Sequence, residues 1–165
     1  MSIQKNPTTG IILDILGPTV EFLTSPDDPE SDFCALKGIM PAGVVVPLHT
    51  HVDTEDFLVV SGQLEILRKD ENGYEWYVGK PGDFLHIPNY APHALRNPFT
   101  EPATIHMITT KQMGQFFREI GAPTNGTHRA ATPEVLAHFQ AVSAKYGYWN
   151  ATLEENAAIG LHLGF

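Results

Sequence analysis

Between Gly43 and Gly62 the chain reads GVVVPLHTHVDTEDFLVVSG, and no other stretch restricts the fold as much. His49, His51 and Glu55 fall within seven residues there. On an extended strand successive side chains alternate between faces, so these three positions share one face. Val45, Pro47, Phe57 and Val59 have the same parity. The segment reads as one strand, or two nearly continuous strands, with an inner face that is apolar apart from two imidazoles and a carboxylate. Burying those groups together is costly unless something satisfies them. A divalent metal ion does so directly, because imidazole nitrogen and carboxylate oxygen are both good ligands for first-row metals.

A second stretch, residues 81–97, reads PGDFLHIPNYAPHALRN. Pro81-Gly82-Asp83 is a turn signal, Phe84 to Pro88 a short strand, and Asn89 to Pro92 another turn. His93 then begins the next strand. Three histidines and one glutamate make a four-ligand shell that leaves one or two positions open on a five- or six-coordinate metal.

These two stretches resemble the paired motifs of the cupin family. Gly43, His49, His51, Glu55 and Gly62 stand at the spacings of the first motif. Gly82, Pro88, His93 and Asn97 match the second, with Tyr90 where the family has an inner glycine. A tyrosine tolerates positive φ less well than glycine, so this turn is the point of departure from the pattern. The resemblance implies metal ligands at His49, His51, Glu55 and His93. It also implies an all-β fold, the cupin jelly-roll β-barrel, here with C-terminal α-helices. A softer similarity over roughly residues 11–148 is to single-domain cupins of the quercetin 2,3-dioxygenase-like group.

Composition narrows the alternatives. A chain of 165 residues suits one domain with a real core, expected to span 1–165 with a barrel over about 11–111 and a helical tail over about 112–165. Fourteen glycines and 13 prolines agree with a turn-rich β protein. A net charge of −9, with no basic cluster, argues against nucleic acid as a partner. The opening MSIQKNPTTG lacks the apolar run of a signal peptide, and no later run is long enough to cross a membrane, so the cytoplasm is the expected location. Cys34 is the only cysteine, which precludes an intrachain disulfide. Two glycosylation sequons, at Asn125 and Asn150, carry no meaning without a secretory route.

In chain order, residues 11–24 read as strand, Gly17-Pro18 turn and strand, and Phe33 to Met40 as a further strand. Gln63 to Lys69 and Tyr74 to Val78 form a hairpin about Asn72-Gly73. Ala103 to Thr109 is the last of about eight strands. The period then changes. Met113 to Ile120 reads as a helix stopped by Gly121 and Pro123, and 124–131 as a linker. Thr132-Pro133-Glu134 opens a second helix that ends at Gly147. Thr152 to Ala158 suggests a third. This tail lacks core mass of its own and is expected to pack on the barrel or on a partner subunit. The apolar residues of Ile11–Leu16 and of the 132–146 helix lead to the expectation of a homodimer.

Other polar residues near the motifs are candidates for the pocket or for hydrogen bonds to the ligands: His86, His106 and Tyr90, with Phe57 as an apolar wall. Asp53 and Asp56 read as rim charges. His128, His138 and His162 read as surface residues.

The functional expectation is an enzyme, a metal-dependent dioxygenase-like oxidoreductase acting on an enol-bearing or polyphenolic, flavonol-like small molecule. One divalent transition metal per chain (iron, manganese, nickel, cobalt, copper or zinc) and dioxygen are its implied cofactor and co-substrate. Glu55 is the candidate catalytic residue, a mobile ligand that accepts a substrate hydroxyl proton. The same residues equally serve an oxygen-independent Lewis-acid isomerase, decarboxylase or cyclase. A non-catalytic cupin that binds a small ligand is the third reading.

Overall fold

The structure is a computed structural model describing residues 11–163. The reading of MSIQKNPTTG falls on residues outside that range. Among the described residues twelve strands and three helices follow one another. The strands are β1 (Ile12–Asp14), β2 (Thr19–Phe22), β3 (Phe33–Met40), β4 (Val45–Thr50), β5 (Glu55–Ser61), β6 (Leu64–Asp70), β7 (Gly73–Gly79), β8 (Phe84–Ile87), β9 (His93–Arg96) and β10 (Ala103–Thr110). The helix α1 (Lys111–Ile120) and two-residue strand β11 (Ala122–Pro123) come next. They are followed by α2 (Pro133–Tyr146), β12 (Trp149–Asn150) and α3 (Leu153–Ala158).

The strands form two antiparallel sheets, ordered β11-β1-β2-β3-β10-β5-β8 and β12-β4-β9-β6-β7. This is the jelly-roll architecture of two facing sheets, each with period-two burial on its inner side. In β3, Cys34, Leu36, Gly38 and Met40 are buried while the residues between them are less so. In β10, Ala103, Ile105, Met107 and Thr109 point inward. Leu64, Ile66 and Leu95 meet them from the second sheet in one continuous core. Crossing between sheets demands sharp turns. Gly62 makes one at φ +69°, where a Cβ would lie 2.3 Å from the Pro102 carbonyl oxygen, so only glycine fits.

The tail folds back on its own barrel. α1 runs from Thr110, whose hydroxyl accepts the Met113 amide, and buries Met113, Phe116, Phe117 and Ile120. It begins two residues before the apolar periodicity suggests, because Thr110 supplies the cap at the end of β10. α2 starts at the expected Thr132-Pro133 cap and ends at Gly147 in the left-handed conformation, φ +73°. It packs against α1. α3 opens with a reciprocal capping box between Thr152 and Glu155. Its buried Asn156 accepts the Leu48 amide of β4 at 2.9 Å. Two short strands lie where sequence periodicity has nothing to report. β11 extends the first sheet beside β1, and β12 extends the second beside β4. Part of the expected stop after α1 is therefore ladder.

Candidate metal centre

Three strand ends and the corner between two of them converge between the sheets. His49 lies near the end of β4 and pairs across the ladder with His93 at the start of β9. His51 follows in the corner that leads to β5, and Glu55 is the first residue of that strand. The β4–β9 register shifts between Val46 and His49, an irregularity of the kind that re-aims side chains beside functional sites. His49 and His93 thus come from one sheet and Glu55 from the other.

The three imidazoles each offer a nitrogen within 4.8 Å of the others. Their orientations follow one rule. Nδ1 of His49 bonds the Pro47 carbonyl, that of His51 the Asp53 carbonyl, and that of His93 the Ala91 carbonyl, each at 2.8 Å. A carbonyl oxygen only accepts, so each Nδ1 carries the hydrogen and each neutral ring keeps its lone pair on Nε2. The Nε2 atoms of His51 and His93 are buried and have no hydrogen-bond partner. A buried lone pair without a donor is costly. Glu55 Oε2 lies 3.4 Å from His93 Nε2 and 3.7 Å from His51 Nε2. The donor set, nitrogen lone pairs with one carboxylate beside them, fits a divalent first-row metal.

In the protein alone the imidazoles differ in how readily they take a proton. Burial, then the neighbouring imidazoles, pushes the His49 pKa down to about 3, which keeps that ring neutral. Burial works against charge on His51, but the nearby Glu55 carboxylate outweighs it and raises its pKa. For Glu55, burial opposes ionisation and the His51 and His93 contacts overcome it, holding the carboxyl below its ordinary range.

Above the histidines lies a cavity of about 700 Å³. His49, His51, Glu55 and Phe57 form part of its floor, and Phe116 of α1 and Phe139 of α2 contribute to its walls. The lining is predominantly apolar, as in small-molecule pockets.

Three expected pocket residues lie elsewhere. His86 belongs to the outward face of β8, because Leu85 opposes Phe57 and Ile87 opposes Glu55, so residues 85 and 87 take the inner positions. It is exposed and bonds Asp56 at 2.7 Å. His106 lies between the inward Ile105 and Met107 and is exposed on the outer face of β10. Tyr90 is 64 % exposed. It occupies its turn at φ +61°, so the turn keeps the left-handed geometry that glycine would adopt. His162, expected at the surface, is exposed and contributes to the cavity lining.

Asp53 is a correction of another kind. Read as a rim charge, it is 2 % exposed. Its carboxylate accepts the hydroxyls of Thr110 and Tyr148. Tyr148 itself has no counterpart among the sequence candidates. Burial, then the Asp53 carboxylate, raises its pKa, so its hydroxyl remains a donor. The whole corner is tied down. Tyr90 N–H donates to the His51 carbonyl, Asn89 Nδ2 to that of Val52 and Thr109 Oγ1 to that of Thr54. Asn97, the motif asparagine, is buried and donates to the Met40 and Glu101 carbonyls, closing the loop after β9.

Residues 36–109 match the Cupin_2 family model, described as a cupin domain. No curated protein matches the sequence. Among solved structures, the plu4264 protein from Photorhabdus luminescens is similar at 19 % identity and a TM-score of 0.55, over 69 % of this chain and 92 % of that one. The Cnp3 cupin domain of Schizosaccharomyces pombe is similar at 15 % identity and 0.52, over 67 % and 74 %. The Cupin_2 domain of an XRE family transcriptional regulator from Enterobacter cloacae shares 27 % identity at 0.46, over 57 % and 96 %. Similarity at the first two levels establishes the shared fold. Among the described residues no helix is long and apolar enough to cross a membrane.

Proposed function

We propose, on the premise that residues 36–109 are a cupin domain, that this chain is a metal-dependent oxidoreductase, a dioxygenase of an enol-bearing or polyphenolic small molecule. The observation that supports this most is the convergence of the His49, His51 and His93 nitrogens and the Glu55 carboxylate, with His49, His51 and Glu55 lining a largely apolar cavity. A divalent first-row metal held by these four residues would supply Lewis acidity toward a substrate hydroxylate and a binding position for dioxygen.

The chain's own residues do the rest. Glu55 enters the reaction ionised, because His51 and His93 favour its charge, and its carboxylate takes the proton of the substrate hydroxyl. Phe57, Met107 and Phe116 exclude water and hold an aromatic or otherwise flat skeleton. The backbone carbonyls of Pro47, Asp53 and Ala91 keep the imidazoles aimed throughout. The exposed apolar side chains of Phe84, Leu58 and Val60 fit the homodimer that accompanies this reading. Light scattering reads it as a mass of twice 18.2 kDa.

The test is oxygen uptake by metal-reconstituted protein with a panel of flavonols and other enolisable compounds. Dioxygen consumption in step with substrate loss is expected. Turnover of the same compounds under nitrogen would replace the reading with an oxygen-independent isomerase, decarboxylase or cyclase. Tight binding without turnover of any compound would replace it with a ligand-binding cupin.

A further inference from the structure

We infer that the C-terminal tail is a working part of the metal centre: Tyr148, through the carboxylate of Asp53, is a positioning residue for His51. The inference rests on the three-histidine site being a metal centre and is independent of the reaction carried out there.

Asp53 joins three parts of the chain. One carboxylate oxygen accepts the hydroxyl of Thr110, the residue that also caps α1. The other accepts the hydroxyl of Tyr148, which directly follows the glycine that ends α2. The backbone carbonyl of the same residue accepts His51 Nδ1–H at 2.8 Å. A carboxylate held on both oxygens cannot swing about χ1 and χ2, and the peptide that carries it is fixed with it. The direction of the Asp53 carbonyl, and hence the tilt of the His51 ring, is set by groups 57 and 95 residues away in sequence. Tyr148 also reaches His51 itself. The two ring centroids are 5.4 Å apart, and the tyrosine ring also lies 4.7 Å from that of Phe116. His51 Nε2, the atom that points at the ligand position, has no hydrogen-bond partner to orient it. Its aim depends on the Nδ1 bond and on the packing of the ring, and Tyr148 contributes to both. The carbonyls that hold His49 and His93 belong to Pro47 and Ala91, residues with no polar side chain to be gripped.

Groups that orient a metal-bound imidazole typically change metal affinity by about 10–100-fold when removed. Coupling is reciprocal, so an ion bound at His51 must favour the docked tail by the factor by which the docked tail favours the ion.

The test uses the full chain and Co²⁺ as the probe. Affinity is measured by chelator competition, and ligand geometry by the visible absorption of the bound ion. Tyr148→Phe keeps the ring and removes only the hydroxyl. It is expected to weaken Co²⁺ binding about tenfold and to shift the visible bands, with Asp53→Asn at least as strong. Loss of thermal stability in Tyr148→Phe with wild-type affinity and an unshifted spectrum would make the hydroxyl merely structural and overturn the proposal. Should the variants not fold, hydrogen exchange of the wild-type amides at 147–152 decides. Slower exchange with Co²⁺ than without is expected, and equal exchange overturns the coupling. A wild-type chain that binds no Co²⁺ would instead overturn the metal centre itself, which the competition assay distinguishes before any variant is made.

Discussion

Strand β5 presents two acid–histidine partnerships on adjacent residues, and they behave as opposites. Glu55 faces inward, 5 % exposed, against His51 and His93. Asp56 faces outward and bonds His86, whose side chain is 58 % exposed. Their immediate neighbours repeat the contrast, with Phe57 at 2 % exposure and Leu58 at 41 %. The residue types are the same on both faces; their surroundings differ. Inside, each imidazole surrenders Nδ1 to a backbone carbonyl, and the Nε2 atoms of His51 and His93 are buried away from water. Outside, Nδ1 meets a carboxylate that solvent screens, a partnership worth about 0–1 kcal/mol. Burial together with a fixed tautomer, more than the presence of histidine beside an acid, marks a metal site.

The sharpest way to break this contrast is to remove one imidazole from each face. His51→Ala and His93→Ala are each expected to lose most of the bound metal, whereas His86→Ala and His106→Ala keep it in full. Elemental analysis of protein loaded with one equivalent checks this, and full occupancy in both inner variants would sink the ligand assignment. Glu55→Gln is next in size. The amide cannot take a proton, so turnover should fall by about 10²–10⁴ while the fold and part of the metal are kept. Asp56→Asn should turn over normally, and the ratio of the two rates measures how far the faces differ.

Stability sharpens the same comparison. Phe57→Ala should cost about 3 kcal/mol in urea denaturation, at the low end for a buried phenylalanine because one side of the ring already faces the cavity. Leu58→Ala should cost under about 1 kcal/mol. Equal costs would mean that the outer face is covered in solution. The smallest effect belongs to Tyr90→Gly. The left-handed conformation costs a non-glycine residue about 1–2 kcal/mol, and glycine forfeits about 0.5–1 kcal/mol through its freer unfolded chain. A gain of up to about 1 kcal/mol with unchanged metal affinity is expected. Weakened metal binding would draw Tyr90 into the site.

The inner set was legible from sequence because its members lie close together on strands whose parity is set by long neighbours. Phe57 and Val59, both buried, bear out the parity reading along β5; in β4 the alternation breaks at the register shift after Val46, and Val45 packs with Leu48 in a second cluster while Val46 packs on the main core. β8 offers no such guide. In Phe84-Leu85-His86-Ile87 both faces carry an apolar residue, and only the ladder to β5 tells which side is inner. His106 fails the same way, since Ile105 and Met107 face inward while Ile108 shares its outer side. The burial of Asp53 had no local signal at all. It lies in a corner where strand alternation lapses, and its partners come from Thr110 and from a tail tyrosine. The caps of α2 were readable because Thr132, Pro133 and Gly147 act within their own turns. The two-residue strands β11 and β12 were not, because their pairing is decided by residues more than 90 positions distant.

The last two ladder residues also bear on solubility. β4, the strand that carries His49, would be the border of its sheet were it not for Trp149 and Asn150, which pair with Thr50 and His49. Beyond them the Ala151 amide donates to the Leu48 carbonyl and Asn156 takes the Leu48 amide. An uncovered border strand recruits strands from other molecules. A chain cut after Gly147 would present that border, valine-rich at one end and imidazole-bearing at the other, to its own copies. The tail therefore acts as a guard against self-association, and truncations made for crystallisation or expression should leave it in place.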